Sequence, residues 1–237
     1  MPSSTPMTGL RYPPLISPRL SRRGFLAAGA SLAAVVALPR PAAAAPVTGV
    51  RLFGCTELRL AHSGSVPAWR AALGRHAAQN ASDYSLCPAR LRFLASSCGD
   101  RRWAETVAAP RPAAGRDLLA WVNERINREP AMPDAALWQM SDYWATPREF
   151  LVLGGDCEDY AVAKFLLLRL AGWPADALRL VVTQDRRQGG HHAVLLARDG
   201  DEGAVLDNLH ETLVDHADCP HYRPIYSVSE TGLYMYR

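Results

Sequence analysis

The chain has 237 residues, with 26 lysines and arginines, 23 aspartates and glutamates, and a formal net charge of +3. Residues 1–45 contain five arginines and no acidic residue, which leaves 21 basic and 23 acidic side chains, and a net charge of −2, for residues 46–237. The excess of basic side chains therefore lies in residues 1–45. Residues 46–237 lack the net positive charge that nucleic-acid binding requires.

Residues 1–45 have the three-part order of an export signal. Paired arginines in Ser21-Arg22-Arg23-Gly24-Phe25-Leu26 precede an apolar run, and four alanines at 42–45 suit a signal peptidase. This order predicts a removed Tat-type signal peptide and a periplasmic or secreted protein. The alternatives are a membrane anchor or a chance arginine pair. The apolar run, Phe25 to Leu38, has 14 residues, fewer than the roughly 20 that span a bilayer, so no stable anchor is expected.

Residues 46–237 have the size of one domain, and we expect a single domain there. Five cysteines follow the predicted signal: Cys55, Cys87, Cys98, Cys157 and Cys219. Because disulfides persist outside the cytoplasm, we expect four of them to pair and Cys157 to stay free. The other four lie in Gly-, Pro- or Ser-rich stretches, and their connectivity stays open. A zinc site is not indicated, since the chain has no C-x-x-C pair.

The segment before Cys157 carries helix and loop signals. Apolar side chains at helical spacing predict helices over Pro67–Asn80 and Asp117–Asn127, with a short linker at Pro110–Gly115 between them. The stretch Asp142–Pro147 is aromatic and ends in proline, which predicts a loop followed by a short helical turn through Phe150.

The segment Cys157–Leu170 is predicted to be a helix that is apolar nearly all round and therefore buried. Asp156 stands at the N-cap and Asp159 at the third helical position, the pattern of a capping box. Gly172, followed by tryptophan and proline, ends the helix.

After this helix the apolar pattern changes to that of strands separated by glycine-rich turns. Five short runs are predicted as strands: Leu178–Val182, His192–Ala197, Ala204–Asn208, Tyr222–Val228 and Leu233–Tyr236. A buried helix followed by an antiparallel sheet is an α+β arrangement.

Three side chains in this arrangement suggest acyl-transfer chemistry. Cys157 opens a helix, where the helix dipole favours a thiolate against its acidic neighbours. His192 opens one strand and Asp207 ends the next, so pairing of the strands would bring base and orienting carboxylate together. His191 competes with His192, and only one can face the cysteine because side chains alternate along a strand. Taken singly, each residue has a structural reading: a core cysteine, a structural histidine and a turn aspartate.

The same residues carry a resemblance to a known family. They include Gly155-Asp156-Cys157-Glu158-Asp159-Tyr160-Ala161, His192-Ala193-Val194 and Leu206-Asp207-Asn208, within a match that covers roughly residues 117 to 230. In order and spacing the chain resembles the bacterial transglutaminase-like cysteine peptidases, whose best-known branch is the LapG-type periplasmic proteases. The resemblance implies a papain/transglutaminase-like core, with a nucleophile helix packed on an antiparallel sheet and extra N-terminal helices. It also implies a catalytic triad of Cys157, His192 and Asp207.

The resemblance bears on the acidic residues around Cys157 as well. LapG-type members are calcium-dependent, and the ligands carried over to this chain are Asp156, Glu158 and Asp159, with Asp142 as a further candidate. Oxygen ligands suit Ca²⁺, which takes six to eight of them. The alternative is that Asp156 and Asp159 only cap the helix.

The expected function is an exported cysteine endopeptidase that works through a thioacyl-enzyme. By the same resemblance its substrate is a surface adhesin and its partner an inner-membrane regulatory receptor. Three cysteines, Cys55, Cys87 and Cys98, and the Tat-type signal depart from that branch. Two alternatives stay open: transglutaminase or amidase acyl transfer on the same triad, and a catalytically silent binding module.

Overall fold

The computed structural model describes residues 51–80, 92–199 and 202–237. The predicted signal peptide and Cys87 therefore lie outside the described residues. Six α-helices lie within the described ranges: α1 Pro67–Asn80, α2 Arg92–Ala108, α3 Gly115–Asn127, α4 Asp134–Leu137, α5 Pro147–Leu153 and α6 Cys157–Leu170. None of the helices in this part of the chain has the length and apolar character needed to cross a membrane.

The strands form one sheet in which every neighbouring pair is antiparallel. Its members are β1 Arg51–Leu52, β2 Cys55–Ala61, β3 Leu178–Asp185, β4 Gly190–Asp199, β5 Glu202–Leu206, β6 Val214–Asp215, β7 Tyr222–Val228 and β8 Leu233–Tyr236. Across the sheet the order is β1-β2-β8-β7-β3-β4-β5-β6. The strands that follow α6 thus make up most of the sheet, and β2, from far earlier in the chain, adds to it beside β8.

The helix α6 lies at the centre of the main core. Ten of its 14 residues are buried, as its nearly continuous apolar sequence predicts. It packs against β4 and β3 on one side and against α3 and α5 on others. Phe165 of α6 meets the buried Trp69 of α1 edge-on, with ring centroids 5.0 Å apart. The helix that begins at Cys157 is therefore held by large buried side chains from several elements.

Apolar residues cover both faces of the middle strands. Along β4, Ala193 and Leu195 belong to the core around α6, while Val194 and Leu196 belong to a second cluster on the opposite face. The alternation is that of a strand covered on both sides. Both faces of β4 are therefore fixed by packing. The strand begins at Gly190, two residues earlier than predicted, so His192 is its third residue and directly precedes the packed stretch.

The fold confirms the predicted α+β class. The bounds of α1, α6, β7 and β8 are those predicted, and α3 begins two positions earlier, at Gly115. The strands β1, β2 and β6 and the helices α2 and α4 were not predicted. In β2, Cys-Thr-Glu-Leu-Arg-Leu-Ala, Glu57 is buried and Leu60 is exposed, so the pattern of apolar residues does not mark the buried face of the strand.

The disulfide prediction is not confirmed. Cys55 and Cys219 carry free thiols. Cys219 is buried in the cluster with Tyr222, where it packs as a small apolar side chain. Cys87 lies outside the described residues, and the side chain of Cys98 is not among those described. Cys157 is also free, as expected for a nucleophile.

Candidate active site

Two glycines allow the chain to enter α6. Gly154 has φ +76°, in the left-handed region that favours glycine, and a Cβ there would lie 2.2 Å from the carbonyl oxygen of Pro130. A Cβ on Gly155 would lie 2.2 Å from Asp159 Oδ2. That oxygen accepts a hydrogen bond from the Asp156 backbone N–H at 3.1 Å, the reach-back half of a capping box. The close approach of backbone and carboxylate fixes the start of the helix, and with it Cys157.

The thiol of Cys157 is subject to opposing influences. Its Sγ–H donates a hydrogen bond to Glu158 Oε2 at 3.3 Å. Burial raises the pKa of the thiol most, followed by the charge of Glu158 and this hydrogen bond, whereas a backbone hydrogen bond from Ala193 lowers it. The pKa of Cys157 lies well above its ordinary value as a result. These influences favour the thiol form of Cys157 over the thiolate.

His192 and Asp207 meet at the ends of two paired strands. The ladder between β4 and β5 runs as far as Leu195 opposite Leu206, so Asp207 is the first residue beyond β5. His192 Nε2 lies 2.8 Å from Asp207 Oδ1. Both side chains are buried, while His191 is exposed. The strands thus bring His192, rather than its neighbour, against the carboxylate.

Asp207 is held as an anion by three donors. Besides His192, the backbone N–H of Leu209 donates to Oδ1 at 2.9 Å and the Tyr222 hydroxyl donates to Oδ2 at 2.5 Å. Burial alone would raise the pKa of Asp207, but the hydrogen bond and charge of His192 and the other two donors lower it to about 2. A carboxylate only accepts hydrogen bonds, so His192 Nε2 carries a proton in this contact, and Nδ1 is the ring nitrogen left to act as a base.

Cys157 and His192 line one groove of about 570 Å³. The backbone of Ala193, the residue directly after His192, lies near enough to the sulfur to lower the pKa of the thiol. Trp144, Val182 and Tyr226 form apolar parts of the wall. Tyr143, the other aromatic residue of the predicted loop, instead stacks on Trp138 with ring centroids 4.2 Å apart. Cys157 and His192 therefore share one groove, and the buried Asp207 contacts His192 without lining that groove itself.

Acidic side chains converge beside the thiol. Ligand oxygens of Asp134, Asp156 and Asp159 lie within 4.8 Å of one another, and so do those of Asp134, Asp142 and Glu158. All three predicted metal ligands are in these groups, and Asp142 joins them from the preceding loop. Asp134, which is common to both groups, was not predicted.

The charge of this cluster is uncompensated by the described residues. Burial, then the hydrogen bond and charge of Asp156, raises the pKa of Glu158 to about 9. Burial, followed by neighbouring carboxylates, raises the pKa of Asp134 to about 6. The Oδ1 atoms of Asp134 and Asp156 are buried and accept no hydrogen bond from the described residues. These are features that a bound cation would relieve.

Asp159 has a structural role whether or not an ion binds. Its Oδ1 accepts a hydrogen bond from the Ala145 backbone N–H at 2.6 Å, and its Oδ2 accepts one from Asp156. It is fully buried, and burial, as the largest cause, raises its pKa well above the ordinary value. The predicted capping role of Asp159 is thus confirmed, and the same residue belongs to the acidic cluster.

Two residues of the site had no role assigned from the sequence. Tyr222 was predicted only as the start of a strand, although its hydroxyl binds Asp207. Asp134 lies far from the nucleophile in sequence, in a short helix without a motif. Only the fold, which places α4 beside the start of α6, brings Asp134 to the cluster.

Comparisons with known proteins point to one family of cysteine proteinases. The family model of the bacterial transglutaminase-like cysteine proteinases matches residues 91–232. The structure of calcium-bound LapG from Legionella pneumophila is similar at 28% identity with a TM-score of 0.53, covering 62% of this chain and 86% of that one. The EGTA-treated form of the same protein gives 26% identity and a TM-score of 0.52, with 67% and 83% covered. No curated protein sequence matches significantly.

Proposed function

The chain belongs to the bacterial transglutaminase-like cysteine proteinases, and we propose that it is an exported endopeptidase with Cys157, His192 and Asp207 as its triad. One observation carries the proposal: His192 Nε2 is held by the anionic Asp207 at 2.8 Å in the groove that contains the Cys157 thiol. This is the arrangement of nucleophile, base and orienting group that acyl transfer requires.

In the proposed reaction, proton transfer accompanies nucleophilic attack. Because Cys157 rests as a thiol, His192 Nδ1 takes its proton as the sulfur bonds to the carbonyl carbon of a substrate amide. The resulting imidazolium then gives that proton to the leaving amine as the C–N bond breaks, which leaves a thioacyl-enzyme. Water, deprotonated by His192, attacks the thioester carbonyl, and the proton returns to the sulfur as the acid product leaves.

Two further features support this sequence of steps. Asp207, with its pKa near 2, remains charged and stabilises the imidazolium. The backbone N–H of Cys157 lies at the start of a helix, where N–H groups have no partner within the helix and carry partial positive charge. It is therefore a suitable donor for the oxyanion of the tetrahedral intermediate.

We also propose that the acidic cluster holds Ca²⁺. The observation that favours an ion is the pair of buried Oδ1 atoms, on Asp134 and Asp156, that accept no hydrogen bond from the described residues. Asp142, Glu158 and Asp159 would supply the other carboxylate oxygens, and such ligands suit calcium. When bound, the ion supplies positive charge that makes ionisation of the neighbouring thiol less costly.

A cysteine peptidase of this family acts on a protein substrate. The predicted export signal puts that substrate outside the cytoplasm, and by resemblance to the LapG-type branch we propose a surface adhesin as the substrate to test first, with an inner-membrane receptor as regulator. Fractionation of cells that express the full chain tests the location. Replacement of Arg22 and Arg23 by lysine should retain the protein in the cytoplasm, and equal export of both forms would exclude the Tat route.

Alkylation of the purified protein with iodoacetamide tests the triad. Peptide mass spectrometry resolves Cys157 from Cys55 and Cys219, which serve as internal controls. Selective labelling of Cys157, strongly reduced in His192→Ala, supports base activation, and equal labelling of the two proteins would exclude it. Incubation with a protein substrate and a labelled amine then separates hydrolysis from amine transfer, since only transfer leaves the label on the substrate.

Addition of EGTA tests the calcium part of the proposal separately. We expect EGTA to lower both the labelling rate of Cys157 and the melting temperature, and excess Ca²⁺ to restore them. If EGTA changes neither, the ion has no part in the site, and the triad stands on the labelling result alone.

A further inference from the structure

A buried lysine lies on the same helix as the nucleophile and has no part in the proposed reaction. Lys164 of α6 is fully buried, in a segment that is otherwise almost entirely apolar. Its Nζ donates a hydrogen bond to Asn123 Oδ1 of α3 at 2.8 Å. Burial lowers the pKa of Lys164 to about 7, although the charge of Asp207 acts in the opposite direction. An apolar side chain would fill the same space without that desolvation cost, so packing alone does not account for a lysine here.

The lysine orients an asparagine whose other end binds the loop after Asp207. With Oδ1 held by Lys164, the Nδ2 of Asn123 faces the loop and donates to the carbonyl oxygens of His210 and Glu211, at 3.0 and 3.3 Å. Asn123 is itself fully buried, so neither end competes with water. The contact with the ammonium group also fixes which end of the amide points to the loop.

A second asparagine, one turn later on α3, binds the same loop. Asn127 Nδ2 donates to the carbonyl oxygen of Asp207 at 2.8 Å and to that of His210 at 3.1 Å. Residues four apart lie on one face of a helix, so the two amides act together on one segment of backbone. That segment has little other anchorage from apolar side chains, since Leu209 is 46% exposed.

We propose that Lys164, Asn123 and Asn127 are positioning residues that fix the backbone of 207–211 so that the Asp207 carboxylate meets His192. The inference rests on the proposed triad, because it gives the network a purpose in orienting the triad's acid. Through it, α6 sets the position of the orienting acid as well as that of the thiol, since Cys157 and Lys164 belong to one rigid helix. None of the three residues touches the substrate or the reacting atoms.

The test compares Asn123→Asp with Val122→Ala in buffer that contains calcium chloride. The aspartate keeps an acceptor for Lys164 but loses the donor to the loop. Val122 is the adjacent, equally buried residue of α3, so its truncation destabilises the helix without removing a hydrogen bond to the loop. Asn127→Asp removes the second donor to the loop at a partly exposed position. It replaces Asn123→Asp in the comparison if that variant does not fold.

Two measurements report the proposed effect. The NMR resonance of the His192 Nε2 proton reports the hydrogen bond to Asp207, and we expect it to shift or broaden in the asparagine variants but not in Val122→Ala. In the asparagine variants the rate of Cys157 alkylation by iodoacetamide should fall about tenfold, as expected for the loss of one well-placed hydrogen bond. In an Asp207→Asn background, the Asn123→Asp change should cause no further loss, because both act on the same contact.

The outcomes separate this inference from the proposed function. The positioning role would be overturned if the His192 Nε2 proton resonance were unchanged in both asparagine variants. It would also be overturned if Asn123→Asp slowed Cys157 alkylation a further tenfold in the Asp207→Asn background. If His192→Ala leaves alkylation unaffected, the triad fails, yet the resonance still decides whether the network holds the histidine and aspartate together.

Discussion

Replacement of Asp207 by asparagine separates the charge of the orienting acid from its shape. An asparagine can keep one oxygen toward His192 and the Leu209 N–H, while its amide group faces the Tyr222 hydroxyl, which can also accept a hydrogen bond. The hydrogen-bond pattern is then retained and the negative charge is lost. We expect a folded protein in which the imidazolium of His192 is less stable.

The magnitude follows from the pKa of Asp207. Its fall from an ordinary 3.8 to about 2 corresponds to about 2.5 kcal/mol of stabilisation at neutral pH, at about 1.4 kcal/mol per unit. Asp207 is only 2% exposed, so solvent does not screen the interaction substantially. Because the folded-state pKa is lowered, the contribution is complete above about pH 4 and is lost as the pH falls toward 2; at pH 2.5 less than about 1 kcal/mol remains.

Urea unfolding of the native protein and Asp207→Asn between pH 7 and pH 2.5 measures this contribution, and iodoacetamide labelling of Cys157 at pH 7 measures its chemical effect. We expect the difference in free energy of unfolding to shrink as the pH falls, and labelling to slow about tenfold, since a charge-assisted hydrogen bond has become a neutral one. If the difference in free energy of unfolding between the native protein and Asp207→Asn stays constant with pH, Asp207 is not held as a stabilised anion. The inference that its charge stabilises the His192 imidazolium would then be refuted as well.

Three other perturbations probe the start of α6, a buried ion pair of the sheet and the acidic cluster. Gly155→Ala should lower the free energy of unfolding by about 2–3 kcal/mol, because its Cβ would overlap the buried Asp159 carboxylate; urea unfolding that shows less than about 0.5 kcal/mol would contradict this. Glu57→Gln should lower the free energy of unfolding by about 3–5 kcal/mol, because it leaves the buried Arg179 without its carboxylate partner. In the same assay the exposed Glu124→Gln should lower it by under about 0.5 kcal/mol. Asp134→Asn should reduce the rise in melting temperature on adding Ca²⁺ to EGTA-treated protein, and an undiminished rise would remove this residue from the proposed ligands.

Much of the fold could be predicted because local signals and burial agree. The apolar surface of α6, with Asp156 and Asp159 at its start, predicts both its position and its bounds. The strands after it alternate or run apolar between glycine turns, and their pairing places His192 beside Asp207. The strand β2 was missed because its stability depends on partners far along the chain, such as the buried pair of Glu57 and Arg179.

The residues of the site that were not predicted were missed for the same reason, namely their dependence on contacts distant in sequence. Cys157, His192 and Asp207 each lie at the end of a recognisable element, where a short motif marks them. Tyr222 and Asp134 reach the site only through tertiary packing, so no spacing along the chain points to them. The expectation that Cys55 and Cys219 take part in bridges was not confirmed, because export and the number of cysteines suggest that bridges form but do not show which sulfur atoms lie together.

The pairing of β2 with β8 has a consequence for how the protein folds. Glu57 binds the hydroxyl of Tyr236, 179 positions later, and the backbone of Thr56 exchanges hydrogen bonds with Arg237. Contacts between such distant residues close very large loops, which slows folding. During synthesis β2 emerges from the ribosome long before β8, and its edge stays unpaired until β8 is made. This part of the sheet can therefore form only once β8 has been made, and shortened chains that lack β8 expose an edge open to aggregation.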